Sequence, residues 1–189
     1  PEDLEALVIV GPTEPISDLE LFRIDQFLMK GGSVAFFAEG VTVDASMGML
    51  MTEPSKAGLQ PFLEHYGARV GADIVFDLQC DTLPVRGPMG IPLAKRYPGW
   101  PLSEITSEHP TTFRLPVLTF PWVSSVQKVT SPGAGNLDIT VLATSTPDSW
   151  RETGDIDLDP NQDFKQKYEK AKDMGPFNLA MAIEGSFTS

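Results

Sequence analysis

The chain has 189 residues, 41% of them hydrophobic and 21% charged, which is the composition of one ordinary folded domain and not of a disordered or fibrous segment. Its formal net charge of −12 sets it against a nucleic-acid backbone or an anionic bilayer surface as a partner, since both would repel it. No apolar run reaches the ~18 residues of a spanning helix, and the single cysteine, Cys80, has no second thiol with which to form an internal disulfide or a cysteine-based zinc site.

Leu4–Val10 is a nearly unbroken apolar run, the pattern of a strand covered on both faces, and Gly11-Pro12 ends it. Ser17 and Glu20 then form an S-x-x-E capping box, in which each side chain satisfies an exposed amide of a first helical turn. Leu21, Ile24 and Leu28 follow at helical spacing with Phe27 widening the stripe, and Gly31-Gly32 supplies the stop. Val34–Ala38 is a second apolar strand. Strand, capped helix and strand in this order predict a βαβ unit, with Leu4–Val10 and Val34–Ala38 parallel and adjacent and the Ser17–Lys30 helix packed on them.

Met47, Met49 and Met51 fall in a stretch without period and read as gap-fillers or loop contacts. A second helix is predicted over Leu59–Tyr66, with Pro61 in its first turn and Gly67 as its stop, and Ile74–Phe76 is a third strand. Residues 84–121 are rich in proline, which removes ladder donors, so this segment is expected to be mostly ordered loop around short extended pieces. Val117–Val129 and Leu137–Ala143 are β-prone and separated by a turn over Ser131–Asn136; Leu179–Ile183 is the last strand.

Few residues are arranged for chemistry. The turn after the first strand, Gly11-Pro12-Thr13-Glu14-Pro15, has two prolines and an acid where a dinucleotide site needs glycines and amides, and there is no P-loop. Neither a G-x-S-x-G elbow nor a cysteine equivalent occurs. Cys80 lies between Asp77 and Asp81, whose charges would raise its pKa and weaken it as a nucleophile. His65 and His109 read as a polar residue at a helix end and a loop residue. Asp155, Asp157, Asp159 and Asp163 alternate like the start of a calcium loop, but Pro160 replaces the turn glycine and Gln166 the bidentate glutamate, so a solvated acidic loop is expected and no metal is assigned. No cofactor is implied.

Val8-Ile9-Val10-Gly11-Pro12, Pro15-x-Ser17 and Glu20-Leu21-x-x-Ile24-Asp25-Gln26-Phe27-Leu28-Met29-x-Gly31-Gly32-x-Val34 together resemble the auxiliary domain of uncharacterised ABC-type transport systems. That group includes a gliding-motility component of ABC-transporter type. Shorter matches continue in order through Leu63–Val70, Ile74–Gln79, His109-Pro110, Leu115-Pro116, Phe120-Pro121-Trp122 and Leu179–Gly185. The resemblance implies a Rossmann-like, three-layer α/β domain with a mostly parallel sheet, similar to class I glutamine amidotransferases and to the GIFT domain of intraflagellar-transport proteins, with the proline-rich β/loop segment added to it. It implies an extracytoplasmic (periplasmic) position in an inner-membrane protein, from which residues 1–189 would be a single excised domain. The implied partners are permease and ATPase subunits or another extracytoplasmic protein.

Two functional expectations follow. In the first, the domain is a non-catalytic binding module, with Gly11, Thr13, Glu39 and Gly40 lining a ligand crevice at the carboxyl ends of the parallel strands. Tyr97, Trp100 and Trp122 are then either aromatic anchors for a partner or caps over a core beneath the proline-rich segment. In the second, the domain is a degenerate amidotransferase- or hydrolase-like enzyme working through His65, His109 or Cys80.

Overall fold

The computed structural model describes residues 4–46, 50–86, 90–105, 109–130 and 137–189. The predicted opening unit is present. Strands β1 (Ala6–Val10) and β2 (Ser33–Phe37) pair in parallel from Ala6 opposite Ser33 to Val10 opposite Phe37, joined by helix α1 (Asp18–Met29). The capping box closes as its spacing requires: Ser17 Oγ accepts from the Glu20 amide at 3.4 Å, and Glu20 Oε2 accepts from the Ser17 amide at 2.8 Å. Gly31 ends the helix at φ +89°, in the left-handed region that favours glycine.

Beyond this unit the expected architecture gives way. Strand makes up 44% of the chain and helix 17%, and every other strand pair among the described residues is antiparallel, in small sheets. The mostly parallel three-layer sheet is therefore overturned. A parallel pair needs a long crossover, usually a helix. Among the described residues after β2 the α-helices are α2 (Gln60–His65) and α3 (Phe164–Lys170), of 6 and 7 residues. Strand β3 (Val41–Asp44) pairs with β4 (Met51–Pro54), β5 (Ala68–Val70) with β10 (Val126–Lys128), and β6 (Asp73–Asp77) with β12 (Ser149–Thr153). The long β11 (Leu137–Thr144) pairs with β13 (Asn178–Gly185).

The proline-rich segment is a second correction, because much of it is sheet. Strands β7 (Cys80–Arg86), β8 (Pro92–Glu104) and β9 (Val117–Thr119) lie side by side in that order. Prolines 84 and 92 sit within β7 and β8, at positions compatible with a ladder only where the missing N–H points off the edge. The third correction concerns covering. The β1–β2 face that carries Phe36 packs towards α2, whereas Val8, Val10 and Phe37 on the other face are exposed, so the apolar runs are not covered on both sides within the described chain. Met47, Met49 and the Ser131–Asn136 turn lie outside the described residues.

The main core forms around β6, whose five residues are all buried. Ile74 and Phe76 join Val41, Tyr97, Trp150, Ile156, Leu158 and Phe164, and the Phe76 and Trp150 rings stack at 5.3 Å. Both ends of β6 are buried aspartates. Asp73 accepts from the Ser125 amide and hydroxyl, each at 2.7 Å, and from Arg151 Nη1 at 3.2 Å. Asp77 accepts from the Thr146 amide and hydroxyl at 2.7 Å and from the Gln79 amide at 2.8 Å.

Replacing Ser17 by Ala is expected to lower stability by ~0.5–2 kcal/mol, through loss of the helix cap. Asp77→Ala is expected to cost more than Ser17→Ala, because it orphans several donors in a dry site at ~1–3 kcal/mol for each group left unsatisfied. Urea melts of the two variants beside the parent chain measure the order; equal midpoints for Ser17→Ala and the parent would place the start of α1 elsewhere.

Candidate functional site

The four residues expected at the carboxyl ends of the parallel strands divide into two groups. Gly11 adopts φ +48°, its amide donates to the Phe37 carbonyl at 2.9 Å, and its Cα faces the Glu39 carboxylate. Thr13 and Glu39 are exposed at this same end. Gly40 turns inward instead. Its amide donates to Ser124 Oγ at 3.0 Å, and a Cβ there would overlap the Gly71 carbonyl oxygen. Gly40 is thus a close backbone crossing between the βαβ unit and the body. A groove of about 730 Å³ opens at the opposite end of the strands, lined by Leu4, Glu5, Gly31 and Gly32 and by Phe22, Arg23, Phe27 and Lys30 of the α1 side.

Of the aromatic candidates, Tyr97 belongs to the core, and Trp100 and Trp122, partly buried, pack against it. Tyr97 is fully buried, donates to the Leu158 carbonyl at 2.8 Å and accepts from Trp122 Nε1 at 3.2 Å. Burial pushes its pKa up to about 12, which keeps the phenol neutral as a donor. Trp100 lies edge-on to both Tyr97 and Trp122, at 6.2 and 5.6 Å between ring centroids. Trp122 holds φ +50°, fixed by its amide to the Gly99 carbonyl at 2.8 Å.

The three residues of the enzymatic alternative are held by separate partners. Cys80 is buried on β7, and burial pushes its thiol up more than Arg96 and the Tyr97 amide pull it down. The neighbouring Asp77 is the smallest of these influences, so desolvation and not the flanking carboxylates does most to suppress the thiolate. His65 donates through Nε2 to the Thr188 carbonyl at 2.7 Å. His109 caps a short 3₁₀ turn: Nδ1 accepts from the Thr111 amide at 3.3 Å, leaving Nε2 as the protonated nitrogen, 3.4 Å from Glu184.

In the acidic loop, Asp157 and Asp159 accept the amides two residues ahead at 2.9 and 2.8 Å, and Asp163 caps α3 through the Gln166 amide at 3.0 Å. Ile156 and Leu158, on either side of Asp157, are buried in the core. Among the described residues no group of three or more ligand-type side chains is placed to hold a metal ion.

Two polar centres have no counterpart in the sequence expectations. One is the chain Ser125–Asp73–Arg151–Asp173, in which Arg151 bridges the two aspartates and lies 5.1 Å over the Phe177 ring. The Asp-apolar-apolar-apolar-Asp pattern of β6 was the available signal for it: two acids flanking a run this apolar must be buried with it. The other is Asp25, buried on α1. It accepts from the Tyr66 hydroxyl at 2.5 Å and from Gln26 and Ser189 at 3.0 Å. Burial is the largest single influence on Asp25 and pushes it up, but the three donors and the nearby His65 together hold it below the usual carboxylate range. Burial first, and then Asp25, drive the Tyr66 phenol well above its ordinary value.

A carboxyl group held below its unfolded-state pKa contributes stability above that value and loses it as pH falls through the folded-state value. Tyr66→Phe removes the principal donor to Asp25. It is expected to lower stability at neutral pH by ~1.5–3 kcal/mol, and to flatten the acid-side loss of stability expected of the parent chain below about pH 4. Denaturant melts of both proteins between neutral and acidic pH measure the two effects; an unchanged acid limb in Tyr66→Phe would take Asp25 out of the account.

No curated protein matches the chain. Among solved structures it is similar to one described as the mmIFT52 N-terminal domain, at 14% identity and a TM-score of 0.43, over 74% of this chain and 52% of that one. It therefore spans about half the length of the structure it matches. The family model described as ABC-type uncharacterized transport system matches residues 1–189, and to this family of auxiliary transport components the chain belongs.

Proposed function

We propose that the chain is a non-catalytic binding domain of an ABC-type transport system, positioned outside the cytoplasm, that works by contact with the permease, its ATPase partner or another protein of that assembly. The observation that carries this reading is the separate placement of Cys80, His65 and His109. A hydrolase or amidotransferase needs a nucleophile within hydrogen-bond reach of its base. Here the thiol sits with Arg96, one imidazole with the chain's last residues and the other with Thr111 and Glu184. Family membership over the whole chain supplies the transport context. The exposed carboxyl ends of β1 and β2, with Gly11, Thr13 and Glu39, remain the proposed place for a small ligand.

The test is made in the parent transport protein, co-expressed with its ATPase and permease. Cys80→Ala, His65→Ala and His109→Ala are each expected to leave co-purification of the assembly and its transport-coupled ATP hydrolysis within about twofold of the parent, a difference well under ~1 kcal/mol. Loss of activity in any one of them, with the domain folded and the assembly intact, would move the domain to the enzyme reading.

A further inference from the structure

Helix α1 has two faces, and the described chain covers one of them. On the inner side Ile24 and Asp25 are buried, and Leu21 packs on the cluster of Ala57, Leu59 and Leu63. Leu19, Phe22, Arg23, Gln26 and Lys30 recur at helical spacing on the other side, within roughly 100° of one another at about 3.6 residues per turn. The face turned away from a core is normally polar. Here it begins with Leu19 and Phe22, 59% and 58% exposed. From Phe22 onward the stripe lines the groove shared with Leu4, Glu5 and Phe27, and Arg23 and Lys30 stand exposed beside it.

Among the described residues no ion pair or side-chain hydrogen bond takes up Arg23 or Lys30. Glu20, one turn before Arg23, gives its carboxylate to the Ser17 amide and hydroxyl at 2.8 and 2.6 Å, and Arg23 acts on it only through charge. In a chain of net charge −12, two cations without a hydrogen-bonded acid beside exposed apolar side chains are a local reversal of sign.

We infer that this outer face of α1 takes an acidic amphipathic helix of another protein of the transport assembly. Its apolar side chains would lie on Leu19, Phe22 and Phe27, and its carboxylates on Arg23 and Lys30. The inference rests on the reading of the domain as a contact module and names the kind of segment it contacts. Spacing selects the occupant. Arg23 and Lys30 are two helical turns apart, about 10 Å along the axis, which acids two turns apart on a packed helix reproduce and a single anionic head group does not. Glu5 repels carboxylates placed against β1 and so directs them to α1. A second copy offers no match among the described residues: the acids of α1, Asp18 and Glu20, share its first turn, and α2 and α3 have 6 and 7 residues. An anionic bilayer is repelled by the net charge.

The probe is a fluorescein-labelled synthetic helical peptide with a leucine stripe and glutamates two turns apart beside it, titrated with the full chain and followed by anisotropy. Binding is expected, and is expected to weaken at roughly 0.5 M salt, where the screening length is only a few Å. A counterpart peptide with lysines for the glutamates is expected not to bind. The double variant Arg23→Glu, Lys30→Glu is expected to lose the acidic peptide by on the order of tenfold or more and to gain the lysine peptide, because the sign of the face is reversed. Phe22→Ser is expected to weaken the acidic peptide without gaining the other. These positions are exposed, and thermal melts check that the variants stay folded. No binding of the acidic peptide at ~100 μM, equal binding of both peptides, or undiminished binding to the double variant would each overturn the inference. So would binding of the chain to phosphatidylglycerol vesicles that disappears in the double variant, which would give the face to a lipid surface. A peptide that fails to bind while the parent protein still co-purifies with its permease and ATPase strikes this inference and leaves the proposed function in place.

Discussion

The buried carboxylates at the two ends of β6 hold the rest of the structure in place. A strand with all five residues out of water can be stable only if the polar groups arriving with it are answered, and Asp73 and Asp77 answer them in opposite directions. Asp73 binds the segment before β10 through Ser125 and reaches β12 through Arg151. Asp77 binds the turn before β12 through Thr146. Segments far apart in sequence are thereby fixed around one strand, and the stacked Phe76 and Trp150 fill the space those clamps define. Neither carboxylate could be exchanged for an apolar residue alone, because its donors would stay behind without acceptors.

The βαβ unit is attached to this centre by contacts that tolerate almost no change in volume. Gly40 approaches the Gly71 backbone so closely that a methyl group would not fit, and Ser124 completes the crossing by accepting from Gly40 and donating to the Asp73 carbonyl at 2.8 Å. On the helical side, Asp25 of α1 and Tyr66 at the end of α2 join the two helices, and Phe187 packs edge-on against Tyr66 at 5.4 Å. A short parallel pair with one covered face is thus held at both of its layers by polar contacts as well as by the small apolar cluster of Ala57, Leu59 and Leu63.

What was legible in the sequence was local. The capping box, the glycine stop at Gly31 and the strand–helix–strand order all act over a few residues to a few turns, so residue types at fixed spacing determine them. The mostly parallel sheet was an expectation drawn from the family resemblance and not from such spacing, and the described strands overturn it. Pairings such as Asp77 with Ser149 and Ala68 with Lys128 depend on which distant segments can bury one another, which no periodicity records. The prolines misled for a related reason. Proline excludes a residue from donating to a ladder, but it does not exclude an edge position, and Pro84 and Pro92 occupy such positions. Of the ligand-site candidates, Gly11, Thr13 and Glu39 share one end of the strands because they follow directly from β1 and β2, whereas the inward turn of Gly40 follows from a contact with residues far along the chain.

The use to which ionisable groups are put sets where binding can be sought. Asp73, Asp77 and Asp25 are spent on backbone amides and hydroxyls in dry surroundings, and Asp157, Asp159 and Asp163 on shaping the loop that delivers Leu158 to the core. An acid already holding two or three donors gains little from a ligand that must displace them. The groups not spent in this way are outside, among them the open apolar strip of β1 and β2 with Val8, Val10 and Phe37 exposed. Net charge steers encounter at long range, while exposed apolar side chains decide what stays bound. That is a division of labour suited to assembly with other proteins, and it requires no enclosed pocket.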